Sequence, residues 1–500
     1  MATATDPIKT YDARWEEADF TDAQVRRLVE ATLLYAQTLG VDTLTLTRDA
    51  RLGCGRVMEI ALDVALPAGF RVYTQLQPVS TPQSYFTTQW VTREHPRTMG
   101  LAVTASHNPA PYVGIKFTVP PVSAIGFDCG PAGGLRKVRE IYHSPQKLAN
   151  KAGGRLHVVN LVSEYVQYSM RTAGLAAGDL DGVGVVLDAF NGSAGPELHL
   201  AYEMAGCRVL SRRLVPDGRF PTGSPNPTSQ GKMQEATDLA KANDCQAVLG
   251  IDGDGDRIVF GDGRGILTAG FAFVPILESV LQSGDVEPGV PVLYDPKVSP
   301  LALAEWGRLG AKPVLFRNGH SQIKDYMTQV GALAAAEESG HYYHRLTLGD
   351  VTVSSENSAL TTLLFLKALK AHPGMMDELW ARENQIFTTG EFNYQFADDA
   401  TRDAALAAVV KHFADAGAQT RTETHDGIDL EGTCLNRGVH LEPGNVKLDD
   451  GWLSGYLRVA TNEKGVVRSY FTAGDAGYGQ EIEAEARRIQ QKQFGGQVVE

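Results

Sequence analysis

The run Thr104-Ala105-Ser106-His107-Asn108-Pro109 sets a hydroxyl, an imidazole and an amide side by side, directly after the apolar stretch Met99-Gly100-Leu101-Ala102-Val103. Pro109 has no N–H and resists continuation of a strand or helix, so Ser106 is expected to project from a turn. A serine beside a histidine in such a turn is a candidate nucleophile. Far downstream lies a second cluster, Asp252-Gly253-Asp254-Gly255-Asp256-Arg257. Glycines allow a tight loop to turn alternating carboxylates onto one hard cation, as Mg2+ or Ca2+ requires. Carboxylates this close repel one another unless positive charge compensates them. A hydroxyl nucleophile together with a carboxylate metal site points to phosphoryl transfer.

Rival readings of the carboxylate loop fit less well. An EF-hand needs glycine at its sixth position and glutamate at its twelfth, where this chain has Arg257 and Gly263. The flanking runs Ala247–Ile251 and Ile258–Phe260 also read as strands, not helices. A phosphatase with an aspartyl nucleophile would leave the Ser106 cluster without a role. A plain acidic turn would leave the three carboxylates uncompensated.

The elements that must position these loops alternate between strand and helix over the first three quarters of the chain. Residues 21–40 carry the apolar stripe Val25, Leu28, Val29, Leu33 and Leu34 of an amphipathic helix closed by Gly40. Thr43–Thr47 then alternates like a strand, residues 56–65 read as a helix and residues 70–74 as a strand. The pattern restarts near Gly182 and again near Val290, which predicts α/β domains with largely parallel sheets. After Gly390 the texture changes. A helix over residues 404–414, a short apolar run at 455–460 and a charged helix from about Glu481 predict a differently built α+β domain.

The bulk composition narrows the partners. The chain has 500 residues, 43% hydrophobic and 21% charged, as a globular protein of several domains would. Its formal net charge of −13, from 46 basic and 59 acidic residues, argues against nucleic acid as a partner. A small phosphorylated ligand needs only a few local cations and stays compatible with that charge. The five cysteines are scattered without C-x-x-C spacing, so neither a disulfide framework nor a zinc site is expected. The start lacks a basic stretch followed by an apolar run, and no apolar segment approaches the ~20 residues of a membrane span. A cytoplasmic protein without membrane partners, acting as a monomer or homodimer, is the expectation.

With both clusters in view, the chain resembles the α-D-phosphohexomutase family, in its phosphomannomutase/phosphoglucomutase branch. Thr104–Pro109, followed by Gly114-Ile115-Lys116, is similar to the family's phosphoserine loop, and Asp252–Arg257 to its metal loop. Glu337-Glu338-Ser339-Gly340-His341 looks like the sugar-specificity loop, and Arg458-Val459-Ala460-Thr461-Asn462-Glu463 is a weaker match to the last phosphate-binding loop. Shorter echoes include Tyr11–Arg14, Pro216–Pro221, Tyr294–Lys297 and Asn318–Lys324. The order of these motifs along nearly the whole chain makes the resemblance specific.

The resemblance implies an α/β protein of four domains around a central cleft: three similar α/β sandwiches and a C-terminal α+β domain. Their expected extents are 1–165 for the phosphoserine loop, 166–272 for the metal, 273–385 for sugar specificity and 386–500 for phosphate binding. It implies interconversion of 1-phospho and 6-phospho sugars through a hexose 1,6-bisphosphate, which doubles as activator. Ser106 would carry the phosphoryl group and, with Asp252, Asp254 and Asp256, hold Mg2+. Arg257 would stabilise the phosphoryl group, Lys116 would deprotonate a sugar hydroxyl if its pKa is lowered, His107 would orient the serine loop and His341 would assist proton transfer. Glu337 and Ser339 would bind sugar hydroxyls. Tyr11, Arg14, Lys297 and His320 would contact sugar or phosphate, and Arg458, Thr461 and Asn462 would grip the phosphate not being transferred.

Three positions depart from the family pattern. Ala460 replaces a serine of the last loop, a loss of about 1.5–3 kcal/mol if nothing else bonds the phosphate there. Val113 stands where asparagine is usual, and Ala336 where glycine usually precedes the sugar-loop glutamate. The sugar loop favours mannose or glucose over glucosamine phosphates. A phosphoglucosamine mutase, a relative that binds phosphosugar without turnover and a Mg2+-dependent phosphatase are the alternatives.

Overall fold

Strands and helices of the chain follow its polarity pattern closely enough to trace each motif loop to a specific pair of strands. The computed structural model describes residues 6–282, 286–442, 445–460 and 463–499. They divide into two units. One takes in the chain up to Ile266 with Gly319–Ala334 and Ser339–Pro373; the other takes in Leu267–Asn318, Ala335–Glu338 and the chain from Gly374.

In the first unit, Thr21 starts the helix Asp22–Thr38 with a capping box: its hydroxyl accepts from Gln24 N, and the Gln24 side chain accepts from Thr21 N. Val25, Leu28, Val29 and Leu33 of the expected stripe are buried in the core beside it. The first sheet contains β1 (Ala13–Glu16), β2 (Thr43–Arg48), β3 (Arg71–Thr74), β4 (Thr98–Val103), β5 (Tyr112–Val119), β6 (Ser123–Ala124) and β7 (Arg155–Val158). Its order is β1-β5-β4-β2-β3-β7, with β6 on β5. β2 runs parallel to β3 and β4, and β3 to β7, whereas β5 turns back antiparallel to β4. Ser106 sits in the β4–β5 connection.

Threonine and leucine alternate along β2 as expected of a strand, and Thr43 to Thr47 are all buried. Helices cover both faces, as parallel sheets require. The threonine hydroxyls find partners in the helix Thr81–Thr92: Thr45 Oγ1 lies 2.7 Å from Thr88 Oγ1, and Thr47 Oγ1 donates to Ser84 Oγ at 2.7 Å. The helix expected from residue 56 begins at Leu52.

The second sheet repeats the arrangement with β8 (Gly184–Asp188), β9 (Arg208–Arg212), β10 (Ala247–Ile251), β11 (Ile258–Asp262) and β12 (Gly265–Ile266), in the order β12-β11-β10-β8-β9. β8, β9 and β10 are parallel and β11 returns antiparallel to β10. The Asp252–Arg257 segment lies in that β10–β11 connection, as Ser106 does between β4 and β5. Further along, β13 (Val290–Tyr294) and β14 (Ala311–Leu315) pair in parallel in the second unit. The short β15 (Ala334–Ala336) leads through Glu337–His341 into β16 (Tyr342–Leu348), which pairs antiparallel with β17 (Val351–Glu356) in the first unit. Each of these three candidate loops thus follows a strand.

The chain after residue 386 forms an antiparallel sheet of β18 (Phe387–Thr388), β19 (Phe392–Gln395), β20 (Gln419–Glu423), β21 (Asp429–Glu442), β22 (Asn445–Val459), β23 (Val466–Ala473) and β24 (Gln497–Val499). The order is β20-β21-β22-β23-β19-β24, with β18 on β23. Helices Asp399–Asp415 and Ala476–Arg488 contribute Val409, Phe413 and Ile482 to a core with Leu435, Leu457 and Phe471. Both helices begin earlier than their apolar pattern suggests because aspartates cap them: Asp398 accepts from Thr401 N at 2.7 Å, and Asp475 from Tyr478 N at 2.7 Å. Three α/β/α domains and a C-terminal α+β domain result. Among the described residues, no helix is long and apolar enough to cross a membrane.

Candidate active site

Ser106 is buried and has φ 51°, a left-handed conformation that costs a non-glycine residue and needs outside support. The support comes from a buried guanidinium. Arg51 donates from Nη2 to the carbonyls of Ser106 (2.5 Å) and Asn108 (2.6 Å), and from Nη1 to those of Pro109 (2.7 Å) and Tyr112 (3.1 Å). Its Nε pairs with Asp49 Oδ2 at 3.1 Å. Thr104 Oγ1 donates to the same Asp49 oxygen at 2.7 Å and accepts from Ser106 N at 2.9 Å. Arg14 reaches the loop from β1, donating to Asn108 Oδ1 at 2.9 Å.

The metal loop packs directly against the serine loop. A Cβ at Gly253 would lie 2.8 Å from the Ser106 carbonyl, so only glycine permits this approach. Ser106 Oγ donates to Asp252 Oδ2 at 3.1 Å. One oxygen each from the buried Asp252, Asp254 and Asp256 falls within 4.8 Å of the others. Among the described residues, Asp254 Oδ1 and Asp256 Oδ1 have no hydrogen-bond partner. Hard oxygens converging with unused lone pairs suit a hard divalent cation.

Lys116, on β5, compensates the carboxylates: it donates to Asp254 Oδ2 at 2.9 Å and also pairs with Asp256 Oδ2. Burial and repulsion from its neighbours push Asp252 up. The same burial acts on Asp254 and Asp256, but Lys116 outweighs it and both fall below their ordinary value. Burial acts to lower Lys116, yet the two aspartates hold it well above its ordinary value. The two carboxylates thus favour the ammonium form of Lys116, the direction opposite to the lowered pKa attached to its expected role as a base. Gly114, two residues earlier, is required by packing, because a Cβ there would lie 2.3 Å from the Ala13 carbonyl.

Arg257 Nε donates to His341 Nε2 at 3.1 Å, so the neutral imidazole carries its proton on Nδ1. Burial lowers His341 to about 3. Its Nδ1 lies 3.8 Å from Asp256 Oδ1 and 3.9 Å from Glu356 Oε1. His107 Nδ1 is 3.4 Å from Ser106 Oγ, and burial, then Arg257 and Arg14, keep that ring neutral. His320 is buried, neutral and 4.0 Å from Asp12 Oδ2, with Tyr11 against its edge at 6.4 Å between ring centroids. Ser339 lies in the turn before His341, partly exposed.

In the second unit, Glu337 is buried and accepts from Asn318 Nδ2 at 3.5 Å. Lys297 pairs with Glu391 at 3.3 Å, and Arg458 lies at the end of β22. Thr461 and Asn462 lie outside the described residues. The first unit thus gathers Ser106, His107, Lys116, the three aspartates, Arg257 and His341, with Arg14 on the serine loop; Lys297 and Arg458 belong to the other unit.

Sequence reasoning missed Asp49 and Arg51. The signal was present in Arg48-Asp49-Ala50-Arg51, a charged cluster at the carboxyl end of a buried strand, where α/β folds put their sites. It also missed Thr81, whose hydroxyl donates to Asp254 Oδ2 at 2.6 Å, and Lys324, which pairs with Glu356 at 2.9 Å over the Tyr85 ring.

Comparison with known proteins identifies the family and the fold. Family models described as phosphoglucomutase/phosphomannomutase alpha/beta/alpha domains I, II and III match residues 6–124, 163–265 and 272–386. A protein named phosphohexose mutases from Xanthomonas campestris pv. campestris is 28% identical over 432 residues, covering 85% of this chain and 89% of the relative. A phosphomannomutase/phosphoglucomutase of Pseudomonas aeruginosa is 26% identical over 358 residues, 69% of this chain and 72% of the relative. The crystal structure of a phosphoglucomutase/phosphomannomutase family protein from Burkholderia thailandensis superimposes with a TM-score of 0.78 at 24% identity, over 99% of this chain and 100% of the other. Parafusin from Paramecium shares the fold at a TM-score of 0.75 and 16% identity, over 99% and 96% of the two chains. The chain belongs to the phosphoglucomutase/phosphomannomutase family of phosphohexomutases.

Proposed function

We propose that this phosphohexomutase interconverts 1-phospho and 6-phospho forms of mannose, glucose or both, with phosphate carried on Ser106. The observation that carries the reading is the 3.1 Å contact between Ser106 Oγ and Asp252 Oδ2, at the edge of three converging carboxylates. In the transfer the phosphorus–oxygen bond to Ser106 breaks and one to a sugar hydroxyl oxygen forms. The hydroxyl proton passes to the serine oxygen. Return of the sugar's other phosphoryl group to Ser106 completes the isomerisation, with hexose 1,6-bisphosphate as the species between the two transfers and as activator.

Asp252, Asp254 and Asp256, with the phosphate on Ser106, would hold Mg2+, which supplies neutralisation of phosphoryl charge. Arg257, whose backbone N–H donates to Asp252 Oδ1 at 3.1 Å, would bond a phosphoryl oxygen. Lys116, between two aspartates, serves as a donor to phosphate, and neutral His107, 3.4 Å from Ser106 Oγ, is a group able to accept a proton, whereas His341, expected to assist proton transfer, has its acceptor nitrogen taken by Arg257. Arg14 ties β1 to the serine loop. Tyr11, Lys297, His320, Glu337, Ser339, Arg458, Thr461 and Asn462 are assigned to sugar and distal phosphate. Segments 1–165, 166–272, 273–385 and 386–500 are taken as the domains that supply these groups, in a cytoplasmic monomer or homodimer.

A coupled assay across mannose, glucose and glucosamine 1-phosphates tests the reading. Isomerisation of mannose or glucose phosphate without net release of inorganic phosphate is expected. Net phosphate release, or binding without turnover of any of the three, would contradict it.

A further inference from the structure

The last sheet places two arginines directly opposite each other. Arg458 on β22 is the register partner of Arg468 on β23, so both side chains share one face. Like charges in that position destabilise a sheet unless an anion joins them. The anion here is Glu391, just before β19: its Oε1 accepts from Arg468 Nη1 at 2.6 Å and its Oε2 from Lys297 Nζ at 3.3 Å. Burial acts to raise this carboxyl, but Lys297, Arg468 and Arg458 together hold it down at about 2, so it is charged at every working pH. Glu463 takes a second donor of Arg468 at 2.6 Å. Among the described residues, the cations Lys297, Arg458 and Arg468 therefore face the carboxylates Glu391 and Glu463. Among the described residues, Arg468 Nε remains buried with no acceptor. An arginine fork with an unused donor, in a partly exposed cluster of excess positive charge, is short of an anion with more oxygens than a carboxylate has.

We propose that Glu391 is a resident counter-anion of the distal phosphate site, held between Lys297, Arg458 and Arg468 until the phosphate of a sugar monoester displaces it, and that Arg468 is a phosphate ligand there. The identity of the ligand rests on the mutase reading above. Arg468 supplies donors that the missing hydroxyl at Ala460 cannot. The carboxylate also sets a threshold: a neutral sugar has no charge with which to displace it, whereas a phosphate dianion offers three oxygens to the same cations. The site thus selects its ligand by charge.

Calorimetric titration of the full chain with inorganic phosphate at fixed ionic strength tests this. Glu391→Gln keeps the shape and removes the charge, and should tighten phosphate binding about tenfold. Arg468→Gln should weaken it about tenfold, and in that background the gain from Glu391→Gln should shrink below about threefold. Glu391→Asp, which keeps the charge and shortens its reach, should also tighten binding and serves if the glutamine variant does not fold. The Ser106 loop is unaltered throughout, so phosphate bound there is a constant background. Unchanged or weaker phosphate binding on altering Glu391 would overturn the proposal. Hexose phosphate turnover on the same samples reads the mutase assignment separately: its absence, with phosphate affinities changed as described, would remove that assignment and leave this one standing.

Discussion

Arg51 Nη2 donates to the Ser106 carbonyl at 2.5 Å, and the same guanidinium bonds three further carbonyls of the loop. A residue more than fifty positions upstream therefore sets the backbone angle of the proposed phosphate carrier. Replacement by lysine keeps a charge but cannot satisfy four carbonyls and Asp49 at once. Arg51→Lys should lower kcat on the order of 100-fold, as misplacement of a reacting group by about 1 Å does. Arg51→Met should also destabilise the fold by about 3–5 kcal/mol, because it leaves Asp49 buried without its cation. Steady-state kinetics and thermal melts check the two parts.

Lys116 would compete with a divalent cation for the same carboxylates. Lys116→Met should tighten Mg2+ binding at least about tenfold while abolishing most turnover. Asp256→Asn should weaken Mg2+ binding on the order of tenfold or more. Calorimetric Mg2+ titrations of both variants give the opposite signs. Chelation should stop turnover, and added Mg2+ should restore it.

Glu197 accepts from Ser80 N at 2.8 Å and Ser80 Oγ at 2.6 Å, and burial pushes its carboxyl up to about 7 from 4.5. The folded chain therefore binds the proton more tightly than the unfolded one. This contribution is fully present below about pH 4.5 and is lost as pH rises through about 7, a change of roughly 3 kcal/mol. Glu197→Gln should flatten that part of the stability–pH curve. Denaturant melts at pH 5 and pH 8 read it as a smaller difference in the variant.

What could be read from sequence was local. Ser106 and the three aspartates stood out because each cluster is contiguous and follows an apolar strand. Helix 22–38 was legible from its stripe. The starts of the helices at Ala476 and Asp399 were not, because single aspartate caps extend them beyond their apolar pattern. The burial of the β2 threonines could not be read from their alternation with leucines, because it depends on hydroxyl partners that helix 81–92 supplies. Arg51 and Glu391 were invisible because their roles depend on distant backbone carbonyls and on the register of β22 with β23. Lys116 was legible as a site residue, but the direction of its pKa needed the aspartates placed around it.

The central claim is that Ser106 carries the phosphoryl group. The most direct measurement is the intact mass of the purified chain beside that of Ser106→Ala, with turnover of hexose 1-phosphate in both. The account predicts one phosphoryl group on the wild-type chain, none on the variant, and loss of turnover in the variant at unchanged thermal stability. Full activity in Ser106→Ala would contradict it.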